Sequence, residues 1–145
     1  MMCDAGGAQP GGLDAANVLL VAAGGAVGAA LRVHLGLAIV AWSLPRCSRV
    51  PRVFPAATLL VNLTGSLIVG LVLGLHARGR AQSPVVSALV ATGFCGGLTT
   101  MSTFCADAQR LHFARQYAVA AVYVAATVVG SMACAYVGWL LGSVP

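Results

Sequence analysis

Lysine is absent from these 145 residues, and only three acids occur, Asp4, Asp14 and Asp107. Charged side chains make up 8% of the chain and hydrophobic ones 59%. With a mean hydropathy of +0.93, a soluble domain of this size is excluded, because it would have too little polar surface to cover its apolar bulk. Metal-ligand spacing is missing as well. The five cysteines, Cys3, Cys47, Cys95, Cys105 and Cys134, form no CxxC or Cys/His pattern and read as small apolar residues. No nucleotide-binding motif or catalytic constellation appears, so an enzyme is not expected. The segment 1–14 lacks Lys and Arg, hence the basic region of a signal peptide, and reads as a flexible tail before a single four-helix transmembrane domain over 15–145.

What remains is long apolar runs. Four stretches, 18–44, 54–76, 85–110 and 117–144, each reach the roughly 20 residues that a spanning helix needs. They do not alternate as barrel strands would. The expected fold is therefore an all-α membrane protein of four transmembrane helices joined by short loops, embedded in a lipid bilayer. The basic residues are all arginine and sit almost wholly in loops, so they report orientation and not a nucleic-acid partner. Arg78 and Arg80 lie on the side of the termini, against Arg46, Arg49, Arg52, Arg110 and Arg115 on the other, a count of two against five. That balance favours termini outside.

One window does not suit a lipid-facing helix. Residues 93–107 read GFCGGLTTMSTFCAD, with three glycines, four hydroxyl residues and an acid inside the third stretch. Glycine lowers the cost of leaving helical geometry, and a broken span is tolerated where its freed carbonyls find protein, water or an ion. Unwound carbonyls can coordinate a small hard cation such as Na⁺. The third helix is expected to be broken here.

The other spans carry polar lines. In the second, Thr58, Asn62 and Ser66 recur every four residues and share one face, which Gly70 and Gly74 continue. In the fourth, Tyr123, Thr127 and Ser131 do the same; each of these lines has a plainer alternative, an interhelical hydrogen bond for Asn62 and back-bonding to the i−4 carbonyl on the fourth helix. In the first, GGAVGAALR places Gly24 four residues before Gly28, spacing that lets helix backbones approach. Arg32 ends that segment and either faces protein or water or snorkels to the headgroups. Tyr136 and Trp139 suit an interfacial belt. A path of neutral donors suits a small anion better than a cation, since each water stripped from the ion must be replaced by a donor. The positive edge of the Phe104 ring can serve in the same way. The residues alone reach a pathway for a small anion or polar solute.

Three segments together, GGAVGAALR, TLLVNLTGSLIVG and GFCGGLTTMSTFCAD, resemble the Fluc/CrcB family of bacterial fluoride channels. The third is the most specific, and the resemblance covers nearly the whole chain. It implies a fluoride-selective passive channel of the bacterial inner membrane that exports cytoplasmic fluoride and relieves its toxicity. It also implies an antiparallel, dual-topology dimer with two pores. By the same resemblance Asn62 would orient donors toward the ion, Phe104 would be a pore phenylalanine, and Tyr123, Thr127 and Ser131 would form a polar track with Thr58 nearby. Carbonyls around Gly96 and Thr99 would hold a structural Na⁺ at the dimer centre. Two positions depart from the family. Met101 stands where a second pore Phe is usual, and Asp107 stands where Glu is common.

Rival readings differ in what they require. A small multidrug-resistance-type transporter would want a membrane-embedded carboxylate in the first span, which has none. A non-conducting subunit would not need aligned hydroxyls on two helices. The arginine bias bears on assembly: if firm, the chain needs an oppositely oriented paralogue as heterodimer partner; if weak, it inserts both ways and forms a homodimer.

Overall fold

The computed structural model describes residues 15–43, 54–79 and 84–144. The tail 1–14, Cys3, Cys47, and the loop arginines Arg46, Arg49, Arg52 and Arg80 lie outside the described residues. Four helical spans are present, and no strand occurs among the described residues. Helix α1 runs Ala15–Ser43 and α2 runs Ala56–Ala77. The third span is composite. A short α3, Pro84–Val86, leads into a π-helical stretch, Ser87–Cys95, then α4, Gly96–Leu98, and after a break α5, Met101–Phe113. Helix α6, Tyr117–Ser143, completes the chain.

The spans associate as two pairs, α2 with α6 and α1 with the π-helical stretch and α4. Lipid tails supply no hydrophobic drive between helices, so close van der Waals packing has to hold each pair. Small residues make that packing possible. A Cβ on Gly24 or Gly28 would run into the backbone at Leu89 or Phe94 of the third span. On the other pair, a Cβ on Gly70 would strike the Ala135 carbonyl and one on Gly74 the Trp139 carbonyl. Gly70 and Gly74 continue the face of α2 that carries Asn62 and Ser66, and there they let α2 pack closely on α6. Side chains such as Leu19, Leu37, Leu60, Val129 and Leu141 remain exposed, which fits an apolar outer surface in lipid.

The break in the third span falls after the glycines, not on them. Gly96 is helical, with φ −61° and ψ −37°, whereas Thr99 and Thr100 are extended, at φ −78°, ψ 158° and φ −152°, ψ 119°. The glycines serve contact: a Cβ on Gly97 would collide with Gly25 of α1. The expected broken helix is present, but its glycines lower the cost of packing and the threonines supply the extended turn. Thr100 then starts α5 as its N-cap, its Oγ1 accepting from the Thr103 N–H at 3.2 Å.

A tight turn at Ala114–Gln116 joins α5 to α6. Arg115 sits in the left-handed region at φ 56°, unusual for a residue with a side chain. The N–H groups of Ala114, Arg115 and Gln116 close it by donating to the Arg110, His112 and Leu111 carbonyls at 2.9–3.0 Å. This hairpin sets α6 so that Tyr123 meets Phe104.

Candidate functional site

The buried polar groups of the described residues gather where α2, the broken third span and α6 meet: Thr58, Asn62, Thr100, Asp107 and Thr127. Asn62 makes the central contact. Its Oδ1 accepts from the Thr100 N–H at 2.8 Å, and its Nδ2 donates to the Thr100 carbonyl at 3.3 Å. The amide thus satisfies the extended backbone that the break leaves without helical partners. One Nδ2 hydrogen remains for another acceptor.

Around Asn62 lies a cavity of about 300 Å³. Its walls are Asn62 and Ser66 from α2, Thr99, Thr100, Met101 and Phe104 from the break and α5, and Thr127, Val128 and Ser131 from α6. Two residues from each polar line, Asn62 with Ser66 and Thr127 with Ser131, therefore face one space, whereas Thr58 and Tyr123 do not line it. No ionisable side chain lines it. Phe104 is buried and tilts against Tyr123 with ring centroids 5.5 Å apart; Tyr123, fully buried, meets Phe54 edge-on at 5.8 Å. The Tyr123 hydroxyl makes no well-formed hydrogen bond, but the Thr58 and Thr127 hydroxyls lie close enough to interact with it. Met101 reaches the same cavity but is 70% exposed, pointing away from its own chain's core.

The fourth-helix stripe behaves differently from a row of three donors. Thr127 Oγ1 donates to the Tyr123 carbonyl at 2.8 Å, so its proton is engaged along its own helix and its oxygen is left as an acceptor only. Arg32 is held by protein, its Nη1 donating to the Thr99 carbonyl at 3.4 Å. Thr58 and Asp107 were read separately in the sequence and are partners here: Thr58 Oγ1 donates to Asp107 Oδ2 at 2.8 Å, and Arg110 Nη1 reaches Asp107 Oδ1 at 3.3 Å. Sequence reasoning did not single out Phe54, which backs Tyr123, Thr100, which carries the Asn62 contact, or Arg110 as a partner for Asp107. The run of adjacent threonines was the available signal for Thr100, and the i, i+3 spacing of Asp107 and Arg110 was the signal for that pair.

The break also bears on a cation. With the Thr100 N–H given to Asn62, the Gly96 carbonyl loses its usual i+4 donor. A Cβ at Gly96 would meet nothing within 4 Å, so this turn faces open space. Thr99 Oγ1 and N–H both bond the Cys95 carbonyl at 2.9 Å, which fixes the turn. No cluster of His, Cys, Asp or Glu that could hold a metal occurs among the described residues. The oxygens that could meet a small hard cation here are backbone carbonyls near Gly96 and Thr99, of which the Thr99 carbonyl already accepts from the Arg32 guanidinium.

Four spans, a threonine break clamped from a neighbouring helix and a neutral polar cavity beside it define a multi-pass membrane protein of the ion-pathway class. The family model described as CrcB-like protein, Camphor Resistance (CrcB), matches residues 19–139. The chain is 42% identical over 127 residues to fluoride-specific ion channel FluC 2 of Rhodococcus jostii (strain RHA1), covering 88% of this chain and 99% of that one. It is 41% identical over 119 residues to fluoride-specific ion channel FluC 2 of Bacillus subtilis (strain 168), with 82% of each chain covered. A further relative, fluoride-specific ion channel FluC of Thermococcus gammatolerans, is 41% identical over 130 residues, covering 89% of this chain and 98% of its own. This chain belongs to the CrcB family.

Proposed function

We propose that this chain is a fluoride-specific ion channel of the plasma membrane that lets cytoplasmic fluoride leave passively. The observation that carries the reading is the cavity beside Asn62, lined by amide, hydroxyl and aromatic groups and by no carboxylate. An anion entering it exchanges water for the remaining Asn62 N–H, the Ser66 and Ser131 hydroxyls and the Phe104 ring edge. In this reading the buried Tyr123, one turn before Thr127, would back the pathway through its contact with Phe104. A membrane potential, negative inside, adds roughly 2.3 kcal/mol per charge per 100 mV to outward flow. Membership of the CrcB family sets aside the small multidrug-resistance-type reading.

The working unit in this reading is an antiparallel dimer. Met101, exposed beside the cavity, would complete a pathway together with the second subunit. Backbone carbonyls near Gly96 and Thr99 of both subunits would hold a structural Na⁺ at the dimer centre. The second subunit is another copy of this chain or a paralogue of opposite orientation.

The test is fluoride and chloride efflux from liposomes holding the purified protein, with and without such a paralogue. Fluoride release with chloride retained is expected. Equal fluxes of the two anions would overturn the channel assignment, and flux only with the paralogue would make the unit a heterodimer.

A further inference from the structure

A second cavity, of about 550 Å³, lies against the start of α2 and along α5. Phe54, Thr58, Thr103, Asp107 and Arg110 are among its lining residues. Tyr123 links the two cavities by contact, meeting Phe54 of the second edge-on and Phe104 of the first at a tilt. Asp107 is the only acidic side chain among the described residues, and it lies on this cavity's wall. Its side chain is 11% exposed, whereas that of Arg110 is 79% exposed. A carboxylate so placed would repel an anion on its way to Asn62. Both of its oxygens are taken, one by the Thr58 hydroxyl and one by Arg110.

The guanidinium end of this i, i+3 pair is largely in solvent, which screens much of its contribution to stability, so the field that the pair sets at the cavity matters as well. We propose that Arg110 is a charge-compensating residue that cancels Asp107 and turns the second cavity into an anion-accepting vestibule. This rests on the channel reading above. Arg110 acts on the permeating anion through Asp107 and through its own positive charge at the mouth. Focused fields of this kind change the rate at which a small ion enters by roughly tenfold or more.

The experiment compares wild type, Arg110→Gln, Arg110→Lys and the double variant Asp107→Asn with Arg110→Gln. Fluoride efflux from liposomes, thermal stability in detergent and anion affinity by calorimetric titration with sodium fluoride are each measured. Arg110→Gln is expected to lose about tenfold in efflux at low ionic strength, with the protein still folded and only slightly lowered in thermal stability. The loss should shrink as an impermeant salt is raised, because screening shortens the reach of the bare carboxylate. Arg110→Lys should keep most of the flux, and the double variant should recover much of it. Wild-type flux in Arg110→Gln, or an equal deficit in the double variant, would overturn compensation. The titration arm does not need conduction: if the wild type passes no fluoride, the channel reading fails, while weaker fluoride binding by Arg110→Gln supports the vestibule and unchanged binding overturns it.

Discussion

Asn62 grips Thr100 by both of that residue's backbone polar groups, accepting from its N–H at 2.8 Å and donating to its carbonyl at 3.3 Å. A single side chain on α2 thereby replaces the helical partners that the third span gives up at its break. The same amide borders the cavity, so the integrity of the break and the lining of the pathway depend on one residue.

Asn62→Ala is expected to cut fluoride efflux well below wild type and to lower thermal stability. The Thr100 N–H and carbonyl would be left buried without partners, at a cost of about 1–3 kcal/mol for each unsatisfied group. Efflux assays and thermal unfolding in detergent check both. Normal efflux with normal stability would show that the break holds without its clamp.

Phe104→Ile keeps apolar bulk but removes the positive ring edge and the 5.5 Å contact with Tyr123. Its efflux should fall while the protein still elutes as wild type does. Met101→Phe is the companion variant and should keep or raise transport, since it would add a second positive ring edge beside the cavity. Unchanged efflux in Phe104→Ile would remove the aromatic edge from the pathway.

Gly70→Leu addresses packing away from the cavity. Even a Cβ at this position would strike the Ala135 carbonyl, so α2 and α6 would have to separate. Overpacking of this kind costs roughly 1–3 kcal/mol or more, read as a lower unfolding temperature in detergent. Gly36→Ala is the control, because a Cβ there meets nothing within 4 Å. Equal stability of Gly70→Leu and Gly36→Ala would contradict the close α2–α6 contact.

A sodium ion held by carbonyls near Gly96 and Thr99 should survive dialysis of the purified protein against sodium-free buffer. Elemental analysis of the dialysed sample, expressed per subunit, is the measurement. Complete loss of sodium with undiminished fluoride flux would exclude a structural cation.

Orientation follows from arginine. C-terminal reporter fusions should find the chain inserted both ways, and Arg49→Ala with Arg52→Ala should even the two populations further by reducing the richer side. A wild-type chain found wholly in one orientation, and conducting alone, would rule out the antiparallel homodimer.

The sequence by itself determined the four spans, the interruption of the third and the two polar lines, because hydrophobic length and helical periodicity are local properties that any bilayer reads the same way. It also placed the family, through GFCGGLTTMSTFCAD above all. Only the tertiary structure decided that the break sits at Thr99 and Thr100, that Gly97 is needed against Gly25, and that Gly70 and Gly74 meet α6. It likewise decided that Arg32 reaches Thr99, that Thr127 spends its proton on Tyr123, and that Thr58 and Arg110 share Asp107. Each of these is a choice among donors, acceptors or contacts that the sequence offers in several combinations. Which one forms depends on the distance between helices, and that distance is set by packing between residues far apart in the chain.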